Sequence, residues 1–193
     1  RNIPDFYRHG PEALKSTVTW LDTSSRGNKS FDRQDGTSLI NPEEIDQIIH
    51  ILKEIEQDFE YCQKLSELVK EGEPSIGIIC MYAAQKRALR KKFNESNWSD
   101  SFKSLVKIGT VDSYQGKENR VVIVSITRSS EDRKPRFLKQ PNRINVAMSR
   151  SMDRLIVVGS IAMWNKENAE LPLGKVAAFI QERQGDDYCI LKA

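Results

Sequence analysis

Apolar positions along this chain form two patterns: short unbroken runs, and longer stripes at helical spacing. Thr17-Val18-Thr19-Trp20-Leu21-Asp22-Thr23 is β-branched and aromatic and predicts a first strand. Residues 24–39 are rich in Ser, Gly, Asn and Asp, show no period, and predict a loop. At Asn41-Pro42-Glu43-Glu44 a helix begins, with Asn as N-cap, Pro at the first helical position and Glu at the third. Ile45, Ile48, Ile49, Leu52 and Ile55 follow at helical spacing, and Phe59, Cys62, Leu65 and Leu68 extend the stripe. Such a stripe serves either as a partner face or as the side that packs on a sheet, and packing is the expectation.

After a break ending at Pro74, Ile76-Gly77-Ile78-Ile79-Cys80-Met81-Tyr82 predicts a second strand. Residues 105–111, 120–126 and 155–159 predict three more, with helices over 83–94, 142–151, 161–169 and 174–183. Near-continuous β-branched runs are typical of parallel strands covered on both faces. With helices between several of them, the class is α/β, an open and mainly parallel sheet with helices on both sides. In such sheets ligands bind beyond the carboxyl ends of the strands, so the informative residues are expected just after each strand.

Composition narrows the classes. The 193 residues suit one domain, with residues 1–16 an extension or incomplete start and 17–193 the domain proper. No apolar run approaches the ~20 residues of a membrane span, and the N-terminus lacks a signal-peptide pattern. The first residue is Arg1, not Met, so a fragment of a longer protein is expected. Cys62, Cys80 and Cys189 are odd in number and form no C-x-x-C pair, which points to buried thiols in a reducing cytoplasm or nucleus and to no metal site. A net charge of +3 means that nucleic-acid binding must come from local patches.

Two segments carry candidate chemistry. The first is Gly109-Thr110-Val111-Asp112-Ser113-Tyr114-Gln115-Gly116-Lys117-Glu118, which runs straight into an apolar strand. Its Thr110 and Ser113 hydroxyls and backbone N–H groups suit phosphate oxygens. Gly116 permits close backbone approach, and Glu118 can accept from a ribose hydroxyl. The same residues also suit an ordinary turn. The second is Asn142-Arg143-Ile144-Asn145-Val146-Ala147-Met148-Ser149-Arg150, whose two arginines sit two helical turns apart. A guanidinium can hold two phosphate oxygens at once, or the two can be a surface pair.

Together these segments resemble motifs V and VI of superfamily 1 helicases, in the branch that includes the nonsense-mediated-decay helicase. Residues 76–85, 19–23 and 38–44 resemble the stretches that precede them, so the likeness covers about 17–160. The resemblance implies a RecA-like three-layer fold and the second, C-terminal motor domain of an ATP-dependent nucleic-acid helicase or translocase. It implies ATP and Mg²⁺ bound against a first RecA-like domain, with single-stranded RNA or DNA across the top. By motif, Arg150 is the expected arginine finger, Glu118 the contact to the nucleotide's sugar or phosphates, and Gln115 and Gly116 the shapers of that turn. Arg143 is a further candidate nucleotide contact. Tyr82, Thr110 and Ser113 are the expected contacts to the strand.

The phosphate loop G-x-x-x-x-G-K-[ST] is missing, since Leu14 stands where Gly10-Pro11-Glu12-Ala13-Leu14-Lys15-Ser16 would need its second glycine. The chain alone is therefore expected to be inactive, with the Mg²⁺ ligands on the first domain. The alternative is a catalytically inactive helicase-like nucleic-acid-binding or scaffold module. Lys86, Arg87, Arg90, Lys91 and Lys92 offer either a phosphate contact or a solvated helix face, the latter favoured. The basic loop before Arg143 is expected to order around nucleotide or strand. Trp20, Trp98 and Trp164 either stack on bases or, as expected, pack.

Overall fold

The structure, a computed structural model, describes residues 4–114 and 116–193. In chain order the elements are α1 (Glu12–Lys15), β1 (Val18–Asp22), β2 (Arg33–Asp35), β3 (Ser38–Ile40), α2 (Pro42–Gln57), α3 (Phe59–Glu67) and β4 (Ile76–Cys80). They continue with α4 (Ala83–Glu95), α5 (Asp100–Leu105), β5 (Val106–Thr110), β6 (Asn119–Ser125), α6 (Pro141–Met148), β7 (Ser151–Gly159), α7 (Pro172–Glu182) and β8 (Tyr188–Lys192). Six strands form one sheet in the order β5-β4-β6-β7-β1-β8, and every pairing in it is parallel. Such an order, with helical crossovers, is the α/β architecture of a RecA-like domain.

The strand runs are unbroken because both faces are covered. Ile76, Ile78, Val121, Ile123, Ile156 and Val158 point to the face packed by α2, α3, α4 and α5. Ile79, Val122, Val124, Leu155 and Val157 point to the other, under α6 and α7. That alternation is the two-residue period of a strand, hidden in sequence because each side meets a core. The start of α2 is as predicted: the Asn41 side chain accepts from the Glu44 N–H, with Pro42 in the first turn.

Several expectations need correction. The apolar stripe is two helices, because Asp58 ends α2 and N-caps α3 by accepting from the Tyr61 N–H at 2.9 Å. Phe59, placed in the stripe, is 80% exposed. The predicted loop over 24–39 contains the β2–β3 hairpin, turned by Gly36 at a φ of 58°. Residues 161–168 form two short 3₁₀ turns in place of a helix, and β7 begins at Ser151, inside the predicted helix. The edge strand β8 carried too weak an alternation to be predicted, yet it pairs with all of β1. Ahead of β1, Tyr7 and Leu14 are fully buried, with the Tyr7 hydroxyl donating to Asp153 at 3.1 Å.

All three tryptophans are buried, and Trp20 donates to the Gly159 carbonyl at 2.8 Å, so packing occupies them rather than bases. The three cysteines are free thiols. Among the described residues no helix is long and apolar enough to cross a membrane.

Candidate functional site

The predicted site residues divide between the two ends of the sheet. Thr110 closes β5 and pairs with Cys80, the last residue of β4, so Thr110, Ser113 and Tyr82 lie at the C-terminal edge. Glu118 and Arg150, by contrast, immediately precede Asn119 and Ser151, the paired first residues of β6 and β7. The Asn119 N–H donates to the Arg150 carbonyl at 3.1 Å, which ties the two positions together. They stand at the N-terminal edge, roughly 20 Å along β6 from the opposite end. The expectation that every informative residue follows a strand is therefore overturned for Gly116, Glu118 and Arg150.

Segment 111–118 joins the two ends by running back across the sheet after β5. Tyr114, fully buried, holds it there. A Cβ on Gly109 would stand 2.7 Å from the Tyr114 ring, and one on Gly77 would stand 2.9 Å from its hydroxyl. The two glycines thus clear a bed for the ring on β4 and β5, and the hydroxyl donates to the Lys107 carbonyl at 2.9 Å. At the upper end Ser113 closes a local turn, its Oγ accepting from the Thr110 N–H at 2.9 Å and donating to the Thr110 carbonyl at 2.8 Å. At the lower end Gly116 has a φ of 75° with open space around it, so its conformation is what requires glycine. Gln115 lies outside the described residues.

At the N-terminal edge Glu118 is exposed, while Arg150 is half-buried and folded on its own helix end. Its Nε donates to the Val146 carbonyl at 3.1 Å and its Nη2 to Ser149 Oγ at 2.8 Å. Lys107 and Lys117 add positive charge nearby: the Lys107 amine sits 5.8 Å over the Tyr114 ring, and partial burial together with the Lys117 charge pushes its pKa down. Arg143 is engaged elsewhere, 3.4 Å from Asp112 and 4.8 Å over the Phe137 ring. Phe137 also packs on Tyr82 at 4.7 Å. Tyr82 is 6% exposed, and burial pushes its phenol up to about 12, with the Arg128 charge pulling the other way. Among the described residues no three His, Cys, Asp or Glu side chains gather as metal ligands.

The two basic stretches are largely paired. Arg87 meets Asp35, Lys91 meets Glu95 and Lys92 meets Asp46 on the exposed side of α4. The loop before Arg143 is held from within the domain: Arg128 is buried against Asp32, and Arg133 binds Glu167 at 3.0 Å.

Sequence reasoning missed a polar cluster beneath the C-terminal edge. Asn41, Glu44, Gln85, Ser125 and Thr127 are all fully buried. Glu44 Oε2 accepts from Ser125 Oγ at 2.6 Å and from the Thr127 N–H at 2.8 Å. Gln85 donates to Ser125 Oγ at 3.0 Å and to the Asn41 carbonyl at 3.1 Å, and accepts from the Asn41 N–H at 2.7 Å. Gln85 and Ser125 offered a signal, as polar residues where the helix and strand patterns call for apolar ones, whereas Asn41 and Glu44 read as an ordinary helix start.

Burial pushes the Glu44 carboxyl up to about 8; Asp32 adds to the rise, and the bonds from Ser125 and Thr127 oppose it. Cys80, packed nearby, has its own thiol raised by burial and by Glu44. Between about pH 4.5 and 8 the folded chain holds a proton that the unfolded chain has released. Stability therefore falls as pH rises through that window, on the order of 1 kcal/mol per pH unit from this group. Glu44→Gln, which keeps an acceptor and cannot ionise, is expected to flatten that fall. Urea unfolding at pH 5, 6.5 and 8 checks it; equal slopes for both proteins would remove the buried carboxyl as the cause.

The family model described as an AAA domain matches residues 4–162. The chain is 31% identical over 172 residues to the DNA polymerase alpha-associated DNA helicase A of Saccharomyces cerevisiae, covering 81% of this chain and 23% of that protein. It is 34% identical over 103 residues to the helicase required for RNAi-mediated heterochromatin assembly 1 of Schizosaccharomyces pombe, covering 52% and 10% respectively. Helicase sen1 of the same organism is 29% identical over 124 residues, 64% of this chain and 7% of that protein. The chain thus spans less than a quarter of the length of these relatives. With this match over most of its length, and with a RecA-like parallel sheet, the chain belongs to the AAA-domain family and is a superfamily 1 helicase domain.

Proposed function

We propose that this chain is the second, C-terminal motor domain of an ATP-dependent nucleic-acid helicase or translocase, acting with a first RecA-like domain of the same polypeptide. The observation that carries the proposal is the juxtaposition of Glu118 and Arg150 at the N-terminal edge, through the bond between Asn119 and Arg150. An exposed carboxylate suits a sugar's hydroxyls, and a guanidinium at the same edge suits phosphates. ATP would bind against this edge, with Mg²⁺ held by the first domain to neutralise phosphate charge. Gln115 and Gly116 would shape the turn that presents Glu118.

Arg150 would leave its helix end and stabilise charge on the transferring phosphoryl group when the two domains close. Arg143, bound to Asp112, would hold segment 111–118 against α6 rather than reach the nucleotide directly. Thr110 and Ser113, at the other end of that segment, would contact the backbone of single-stranded RNA or DNA. Tyr82 would support that surface from beneath, consistent with its burial. One continuous segment would thus join nucleotide to strand, so that a shift at Glu118 is felt at Thr110.

The test is ATP hydrolysis by the protein extended upstream through its first motor domain, at fixed salt, without polymer, with single-stranded RNA and with single-stranded DNA. The expected result is stimulation by one polymer, which names the track, and no hydrolysis by residues 1–193 alone. A folded two-domain protein that hydrolyses no ATP with any polymer would favour the inactive binding or scaffold module.

A further inference from the structure

The chain leaves β6 through a residue whose backbone conformation few side chains adopt. Thr127 has a φ of 67°, in the left-handed region that β-branched residues rarely enter. Such conformations persist only where the surroundings over-determine them, and they cluster at sites that work. Here both polar groups of the strained residue's backbone are taken by side chains from the N-cap and first turn of α2. Glu44 Oε2 accepts from the Thr127 N–H at 2.8 Å, and Asn41 Nδ2 donates to the Thr127 carbonyl at 3.1 Å. Asn41 Nδ2 also donates to the Ser30 carbonyl at 2.8 Å, and Gln85 ties the clamp to the first turn of α4.

The direction imposed at Thr127 sets the course of the loop beyond it. Arg128 turns inward onto Asp32, and its Nε donates to the Lys134 carbonyl at 2.6 Å. The loop then brings Phe137 between Tyr82 and Arg143, one named for the strand and the other bound to segment 111–118 through Asp112. A contact path therefore runs from the buried carboxamide and carboxyl to Tyr82 and to the upper end of segment 111–118, without either side chain reaching a ligand.

We infer that Asn41 and Glu44 are positioning residues that clamp Thr127 in its left-handed conformation, and so couple the strand-facing end of the domain to ATP turnover. The inference deepens the proposed motor function and rests on it. Clamped, Thr127 fixes the Phe137 bridge; released, it relaxes toward ordinary extended backbone, and the bridge loses its register with Tyr82 and Arg143.

The test uses the two-domain protein with Glu44→Leu, Glu44→Gln, and Glu44→Leu combined with Thr127→Gly. Leucine fills the space but leaves the Thr127 N–H and the Ser125 hydroxyl unpaired, whereas glutamine keeps an acceptor for both. Glu44→Leu is expected to lose about tenfold of the polymer-stimulated kcat while the KM for ATP moves less than about twofold. Glu44→Gln is expected to stay close to the unsubstituted protein. Glycine adopts a positive φ freely, so Thr127→Gly in the Leu background is expected to restore most of the stimulation. General damage to the core would not be repaired that way.

Full stimulation in a folded Glu44→Leu protein, or no restoration by Thr127→Gly, overturns the inference. If no polymer stimulates the unsubstituted protein, the motor proposal fails on its own, and amide hydrogen exchange decides the clamp. Faster exchange confined to 126–129 in Glu44→Leu upholds it, and unchanged protection there overturns it.

Discussion

Replacing Arg150 with alanine in the two-domain protein is expected to lower polymer-stimulated ATP hydrolysis by about 10³-fold or more, the range of arginine fingers in related phosphoryl transfers. The expectation comes from where Arg150 sits and from what it does in the isolated domain. Its bonds to the Val146 carbonyl and Ser149 Oγ are local and partly solvated, so leaving them costs little. The gain arises only when the guanidinium meets charge that develops in the transition state, so the loss should fall on kcat with the KM for ATP nearly unchanged. Arg150→Lys should recover little, because a single ammonium cannot span two phosphate oxygens. Arg143→Ala should be far milder, since that side chain is spent on Asp112 and Phe137. Initial rates across ATP concentrations, with saturating polymer, settle the comparison. Stimulated turnover within about threefold of normal in Arg150→Ala would strip the residue of the finger role.

The parallel sheet was legible because its strands are dense in Ile and Val, and the α2 start because Asn41-Pro42-Glu43-Glu44 has local capping chemistry. The motif residues were legible as residues, but the path by which segment 111–118 crosses the sheet between them was not. It depends on Tyr114 lying over Gly77 and Gly109, a contact between positions up to 37 apart that no local period encodes. Chain direction alone puts Glu118 and Arg150 ahead of the strands predicted at 120–126 and 155–159, so it was the rule about carboxyl ends, applied to every motif residue, that placed them on the wrong edge. Glu44 hid for a different reason. At the third position of a capped helix a glutamate is ordinary, and only the folded chain shows it closed in by Ser125 and Thr127. The edge strand β8 gains its stability from pairing with β1 rather than from its own half-buried side chains, so its sequence said little.

Removing one partner of the Arg128–Asp32 pair should be the most destabilising single change in the loop after β6. Their side chains are 3% and 6% exposed, and the Arg128 Nη1 reaches both Asp32 oxygens at 3.0 and 2.7 Å. Asp32 also accepts from the Ser129 N–H at 2.9 Å, so its carboxylate has few routes to water. Arg128→Met leaves that carboxylate buried without its counter-charge, at an expected cost of about 3–5 kcal/mol. Urea unfolding measures it, and a loss below about 1 kcal/mol would mean that water reaches Asp32. Adding Asp32→Leu removes the stranded charge, so the double variant should regain most of the stability, because an apolar pair of similar volume often replaces an ion pair without loss. Polymer stimulation should not return with it. Stability depends mainly on leaving no buried charge unpaired, with a smaller cost for the Ser129 N–H that loses its acceptor, whereas the path to Phe137 depends on the Arg128 guanidinium bonding Asp32, Asp132 and the Lys134 carbonyl at once. A double variant that recovers both stability and stimulation would show that any packed core beneath this loop suffices, and that the ion pair holds the fold rather than its coupling.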